Sequence, residues 1–410
     1  MVSSRMRPVS RSLMRTEVPI RTSDHGAARP VTIVTGSEVG AADGDAAGGG
    51  GGGGSGPATP QPVSQQAVAS TNAAAAVRRG RVPASRPRGD MLTRYPGAEG
   101  RAAPLARFAE AAHPDPMQKM VPNLWFADAA AGGEFYAGVF PGSRVRTSSF
   151  YPQEGLLDFQ KDYAGKPLTV DVEIDGYRLV LINAGDTFRP NPSISLTLSF
   201  ADAEMDRLDA LWAALADGGR VLMPLQEYPY SARYGWVEDR FGVSWQLTVA
   251  GDEQRPPVMP TFLFSGPAQN RAREAIEEYT GLFPDAQVGT MVDYQEKSGP
   301  ADAGAVMYAD FTLAGQWFTA MDSAATESHP FTEGVSLQVE CADQAEIDRY
   351  WAVLSQVPQA EQCGWCKDRF GVSWQIVPGG MDDLISSPAA YAAMMEMHKI
   401  DIAGLRAAAS

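Results

Sequence analysis

A nine-residue segment that occurs twice limits what this chain can fold into. Asp239-Arg-Phe-Gly-Val-Ser-Trp-Gln-Leu247 returns as Asp368-Arg-Phe-Gly-Val-Ser-Trp-Gln-Ile376, identical at eight of nine positions and offset by 129 residues. Other pairs surround it. Leu124-Trp-Phe126, ahead of Glu134, Phe135, Tyr136 and Phe140, matches Phe262-Leu-Phe264, ahead of Ala275, Ile276, Tyr279 and Phe283. Ser195 to Phe200, followed by Asp206-Arg207-Leu208, matches Val335 to Glu340, followed by Asp348-Arg349-Tyr350. Self-similarity at a fixed long offset means one structural unit used more than once. The copies run over 118–251 and 257–379, joined at 251–260 by a linker carrying Pro256, Pro257 and Pro260.

Hydrophobic periodicity predicts the elements within a copy. In the first, 121–126 reads as a strand, 129–139 as an amphipathic helix, and 144–151, 167–174 and 177–183 as strands. Asp175-Gly176 marks a tight hairpin. A strand at 194–200 and a helix at 203–215 follow, with Leu208, Leu211, Trp212 and Leu215 on one face. Strands near 219–223, 233–238 and 243–249 complete the copy, so the order is β-α-β-β-β, twice. The second copy repeats this with Ala314-Gly315 at its hairpin. Leu215 to Asp239 spans 24 positions but Leu354 to Asp368 only 14, so an arm containing Val221 to Tyr228 has no counterpart. A helical extension, 380–406, ends the chain, with a helix at 388–398 offering Tyr391, Met394, Met395 and His398 for docking. The fold class is α+β with tandem domains.

Composition excludes several roles. Residues 1–116 hold 14 arginines, no lysine, 9 acidic residues and the glycine run Gly48 to Gly54. Such a stretch loses much backbone entropy on ordering and buries little, so disorder is expected there, or a true start at Met91 or Met117. The remainder carries 20 basic and 40 acidic side chains, a charge that repels nucleic acid and anionic lipid. No run of about 18 apolar residues proposes a membrane span. Cys341, Cys363 and Cys366 fit a reducing, cytoplasmic setting. Cys363-Gly-Trp-Cys366 precedes a strand instead of opening a helix, so it reads as a loop pair, or else as a regulatory disulfide.

The repeated Asp-Arg-Phe-Gly-Val-Ser-Trp-Gln signature, the Glu134-Phe135-Tyr136 helix and the Val221-Leu-Met-Pro-Leu-Gln226 arm resemble PhnB-like proteins of the vicinal oxygen chelate (glyoxalase/bleomycin-resistance/dioxygenase) superfamily. The second copy resembles the branch labelled 3-demethylubiquinone-9 3-methyltransferase-like. The resemblance covers both copies and not residues 1–116. It implies paired β-α-β-β-β modules that form a curved mixed sheet around a cleft, often with a divalent metal held by His, Glu or Gln. A methyltransferase of the usual doubly wound type would carry a glycine-rich loop after a strand, and neither copy does.

The same resemblance places Gln246 and Gln375 where metal-dependent relatives commonly have glutamate. It places Tyr308 where PhnB-type relatives have His, with Val170 as the first copy's counterpart. Amide, phenol and valine make a poor divalent-metal set. None of the four histidines lies on an expected strand, and His329 sits in a rim loop. No metal ligand is therefore assigned, and a divalent metal is disfavoured. Alternation puts Trp245 and Trp374 on the face opposite the two glutamines. Gln246 and Gln375 either present an amide to a cleft or bond a neighbour. Tyr308 is either a cleft donor or a core aromatic. Arg233 and Tyr234 lie on the long arm, where Arg233 either meets a ligand anion or makes an interdomain ion pair. These five are the ligand-binding candidates. The expected partners are a small-molecule ligand and, within the chain, the two copies packed as a pseudo-dimer. The expected role is binding a small organic molecule, with a lyase or dioxygenase using a weakly held metal as the alternative.

Overall fold

The computed structural model describes residues 118–250 and 255–410, and the expectation of disorder for 1–116 lies outside the described residues. The first module comprises β1 (Met120–Phe126), α1 (Ala129–Val139), β2 (Arg144–Phe150), β3 (Pro167–Ile174) and β4 (Tyr177–Asn183). The second comprises β5 (Ile194–Phe200), α2 (Met205–Ala216), β6 (Arg220–Tyr228), β7 (Ser231–Glu238) and β8 (Ser244–Val249). The third comprises β9 (Val258–Phe264), α3 (Ala272–Leu282), β10 (Gln287–Asp293), β11 (Val306–Leu313) and β12 (Gln316–Asp322). The fourth is reduced to β13 (Val335–Cys341), α4 (Gln344–Leu354), β14 (Trp365–Lys367) and β15 (Ser373–Pro378). A tail of α5 (Met381–Leu384), α6 (Pro388–Met395) and α7 (Ile402–Ala409) follows, so the helix expected over 388–398 stops three residues earlier.

Local chemistry explains these boundaries. Asp128 caps α1 by accepting from the Ala131 N–H at 3.0 Å, and Asp343 caps α4 by accepting from Glu346 N at 2.9 Å. Both hairpin turns place two residues at positive φ, Asp175 and Gly176 in one and Ala314 and Gly315 in the other, which matches strand twist. Gly132 lets α1 press onto β1, because a Cβ there would lie 2.5 Å from the Phe126 ring.

The sheets ignore the copy boundary. One sheet has the order β14-β15-β13-β1-β4-β3-β2, the other β10-β11-β12-β9-β5-β8-β7-β6. The first module joins the fourth through antiparallel β1 and β13, with Met120 opposite Val339 and Leu124 opposite Val335. The second joins the third through β5 and β9, with Ile194 opposite Phe262. Each curved sheet therefore takes one module from each copy, where paired modules within one copy were expected. The short linker favours this pairing, since it delivers β9 directly alongside β5, and Ser199 N donates to Pro257 O at 3.0 Å.

The repeated motif holds each copy together on the helix side of the sheets. Asp239 accepts from Tyr136 Oη of α1 (2.7 Å), Trp245 Nε1 (2.9 Å), Phe241 N (2.9 Å) and Val243 N (3.1 Å). Asp368 does the same with Tyr279 of α3 (2.6 Å), Trp374 (2.8 Å), Phe370 and Val372. Burial pushes both carboxyls above their ordinary range while these four donors pull the other way. Trp245 and Trp374 are fully buried in this helix-side core, and the opposite face of each sheet forms a hollow.

Candidate functional site

Side-chain alternation decides which residues reach the hollows. In the sheet of the first and fourth modules, the inward positions are Asn123 and Trp125 on β1, Arg178 and Ile182 on β4, Asp171 on β3, Gln338 and Glu340 on β13, Gln375 on β15 and Trp365 on β14. They line a cavity of about 1320 Å³. The tail covers part of its mouth with Met381, Tyr391, Met394 and Met395, and the turn of 3₁₀-helix at Asp158–Tyr163 meets it there, where Gln160 Nε2 donates to Tyr391 Oη at 3.2 Å.

This cavity has two unlike ends. At one, Trp125 stands edge-on to Phe188 (centroids 5.0 Å apart) and to Trp365 (6.2 Å). At the other, Arg178 donates to Glu340 at 2.8 Å and pairs with Asp171 at 3.3 Å, and Arg146 reaches Asp171 at 2.8 Å. Burial alone would loosen the Arg178 proton, but the two carboxylates outweigh it and raise its pKa. Between the ends lies a floor of amides. Gln338 sits directly beside Gln375 in the β13–β15 pairing, and Asn123 Nδ2 lies 3.4 Å from Gln338 Oε1. Gln375 Nε2 donates to Ser336 Oγ at 2.9 Å.

The second hollow has the same scaffold and is filled. Leu263 and Met321 take the places of Trp125 and Ile182, and Trp236 sits opposite Gln246 as Trp365 sits opposite Gln375. Over them the long arm β6–β7 packs Tyr228, Tyr230 and Tyr234, whose rings lie 5.3–5.6 Å apart. Tyr234 Oη donates to Gln246 Oε1 at 2.9 Å. At the polar end, Arg255 of the linker pairs with buried Asp310 at 2.9 Å and stacks 5.0 Å above Trp317, the residue in Arg178's place.

The five candidates therefore separate. Gln375 lines the open cavity. Gln246 and Tyr234 satisfy one another inside the filled hollow. Tyr308 faces that hollow too, its hydroxyl 3.4 Å from Asp310. Arg233 points to the helix side and pairs with Asp209 of α2 at 2.9 Å, so it meets neither a cavity nor another domain. Parity forces this, since Tyr234 beside it points inward. Strand pairing also corrects the counterpart of Tyr308. Thr169 opposite Ile182 matches Tyr308 two residues before Asp310, whereas Val170 is buried in the helix-side core. Asn123, Gln338, Asp171 and Arg178 were missed. Their signal was a polar residue at the centre of an otherwise apolar strand, as in Met120-Val-Pro-Asn-Leu-Trp-Phe126.

The residues do not fit a resident divalent metal. The floor offers neutral amides, and the neighbouring carboxylates Glu340 and Asp171 are held by Arg178. Among the described residues no three His, Cys, Asp or Glu side chains gather as a metal cluster. His329 lies 3.8 Å from Glu327, away from the cavity lining, and burial lowers its pKa.

Paired β-α-β-β-β modules curving around a hollow define the vicinal oxygen chelate fold. Within it, residues 118–248 and 256–377 each match the family described as 3-demethylubiquinone-9 3-methyltransferase, and the chain belongs to that family. Among solved structures, the PhnB protein of Bacillus cereus is 28% identical over 32% of this chain and 100% of its own, with a TM-score of 0.28. Protein PA1353 of Pseudomonas aeruginosa is 20% identical over 32% and 96%, with a TM-score of 0.26. Glyoxalase I of Zea mays is 11% identical over 68% and 97%, with a TM-score of 0.38. No curated protein matches the sequence.

Proposed function

We propose that this protein binds a small organic molecule in the hollow shared by its first and fourth modules, with no metal at the centre. The observation that carries this reading is the open cavity of about 1320 Å³ beside a twin that the chain fills with its own tyrosines. A concave space with an aromatic wall and a few placed polar groups is what a ligand site needs. The three free thiols suit a reducing cytoplasm, and the acidic described region suits neither nucleic acid nor anionic lipid. No described helix is long and apolar enough to cross a membrane. The crossed sheets support treating the two copies as a pseudo-dimer that needs both halves for either hollow.

The family's description speaks of methyl transfer, but no Gly-x-Gly-x-x-Gly loop follows a strand among the described residues, and no methyl transfer is proposed. The alternative is a lyase or dioxygenase with a weakly held divalent metal near Gln375 and Glu340. Thermal unfolding of the full chain with a panel of small organic molecules separates the two, because a ligand of the folded state raises the midpoint. Stabilisation unaffected by chelator is the expected result. Stoichiometric metal in the purified protein, with a midpoint that falls when it is removed, would replace this reading with the enzymatic one.

A further inference from the structure

The filled hollow shows what the open one lacks. Inside the first, Tyr234 stands two residues before Trp236 on β7, and its phenol donates to the Gln246 carbonyl at 2.9 Å. In the open hollow, Trp365 again sits opposite Gln375, but the position two residues earlier is Cys363. There the chain has left the strand, with Cys363 at φ 53° and Gly364 at φ 86°, and its backbone bonds to Met397 and His398 of the tail. The arm that carries Tyr228 and Tyr230 has no counterpart either. Gln375 is only 8% exposed, its amide nitrogen is bonded to Ser336, and its Oε1 has no hydrogen-bond partner among the described residues while facing the cavity. An acceptor that the protein leaves unpaired and the cavity reaches, beside an aromatic wall, favours a ligand that brings the donor.

Resting on the cavity reading above, we propose that the open hollow takes a planar aromatic ring bearing a hydroxyl, a phenol, in the place that Tyr234 fills in its twin. The hydroxyl donates to Gln375 Oε1, and the ring lies against Trp365 and Trp125. Hydroxyl and carbonyl are both neutral, and Gln338 stands between Gln375 and the Arg178–Glu340–Asp171 ion pairs, donating to Glu340 at 3.2 Å.

The test uses the full chain and three probes of nearly equal shape: 4-methylphenol, 4-methylanisole and toluene. Affinities come from titration calorimetry or ligand-observed NMR. Location comes from the alkylation rate of Cys363, which lines the cavity while Cys341 and Cys366 are buried. The expected result is that 4-methylphenol slows alkylation and binds about five- to tenfold more tightly than the two probes without a donor. Gln375→Met should erase that preference and leave toluene binding in place. Should the variant fail to fold, the three-probe comparison on the native sequence still decides. Equal affinity of all three, with Cys363 protected by each, overturns the phenol assignment and leaves the cavity reading standing. If neither these probes nor a varied set of aliphatic ones protects Cys363, the cavity reading falls as well.

Discussion

The two hollows have one scaffold and opposite contents. Both have a tryptophan opposite a glutamine, and both have a buried aspartate on the central hairpin, Asp171 in one and Asp310 in the other. In one, the β6–β7 arm, in a spacing ten residues longer than its counterpart, and a linker arginine are folded inward, so the hollow is core. In the other, the arm is absent and a helical tail roofs a void. The difference teaches that a change of ten residues in one spacing decides whether a hollow becomes core or stays open, and it leaves one sheet with seven strands and the other with eight.

If that contrast is confined to the hollows, the helix-side cores should respond alike. Asp239→Ala and Asp368→Ala each strand a tyrosine hydroxyl, an indole N–H and two backbone N–H groups. Each should cost about 4 kcal/mol in urea unfolding. A gap between them larger than about 1 kcal/mol would mean that the copies differ in their cores too. The hollows themselves should respond unequally. Trp236→Ala empties packed space under Tyr234 and should cost about 3 kcal/mol, whereas Trp365→Ala borders a void and should cost about 1 kcal/mol. Equal losses would show that the first hollow collapses onto Trp365 and is not open.

Much of this architecture was legible in the sequence. Repeats, hairpin dipeptides and alternation identified the modules and sent Trp245 and Trp374 to one face and Gln246 and Gln375 to the other. Which module pairs with which was not legible, because β1 can meet an antiparallel β5 or β13 with equally apolar faces, and only tertiary packing chooses. The contents of the hollows were half legible. The missing arm was visible as a shorter spacing, but its meaning depends on Tyr228, Tyr230 and Tyr234 folding inward, which spacing does not state. Arg233 misled because an exposed arginine beside tyrosines resembles a rim, and one step of strand parity turns it outward.

The comparison extends to a pair of positions at the end of the hairpins. Asp322 in the third module accepts from Val306 N at 2.9 Å and Ala272 N at 3.2 Å. Its counterpart is Asn183, which donates to Pro167 O at 2.9 Å, because a proline there has no N–H to offer. Burial pushes the Asp322 carboxyl up to about 6. The folded state then holds the proton more firmly than the unfolded chain, so stability is highest below pH 4 as far as this group is concerned and falls as pH rises to about 6. The loss should be about 3 kcal/mol. Asp322→Asn should flatten that slope in unfolding measured at pH 4, 5, 6 and 7, and an unchanged slope would mean that Asp322 stays charged throughout.

The smallest effect belongs to the residue that strand parity turned away. Arg233 makes two hydrogen bonds to Asp209, but about a third of its side chain and nearly half of its partner's remain in water. Exposed pairs lose in side-chain entropy and screening most of what the charges gain, so Arg233→Ala should change stability by no more than about 0.5 kcal/mol. It should also leave 4-methylphenol binding unaltered, since the open hollow is built from the other sheet. A measurable loss of binding would show that the filled hollow communicates with the open one through the shared helix-side core, and the two could then no longer be treated as independent.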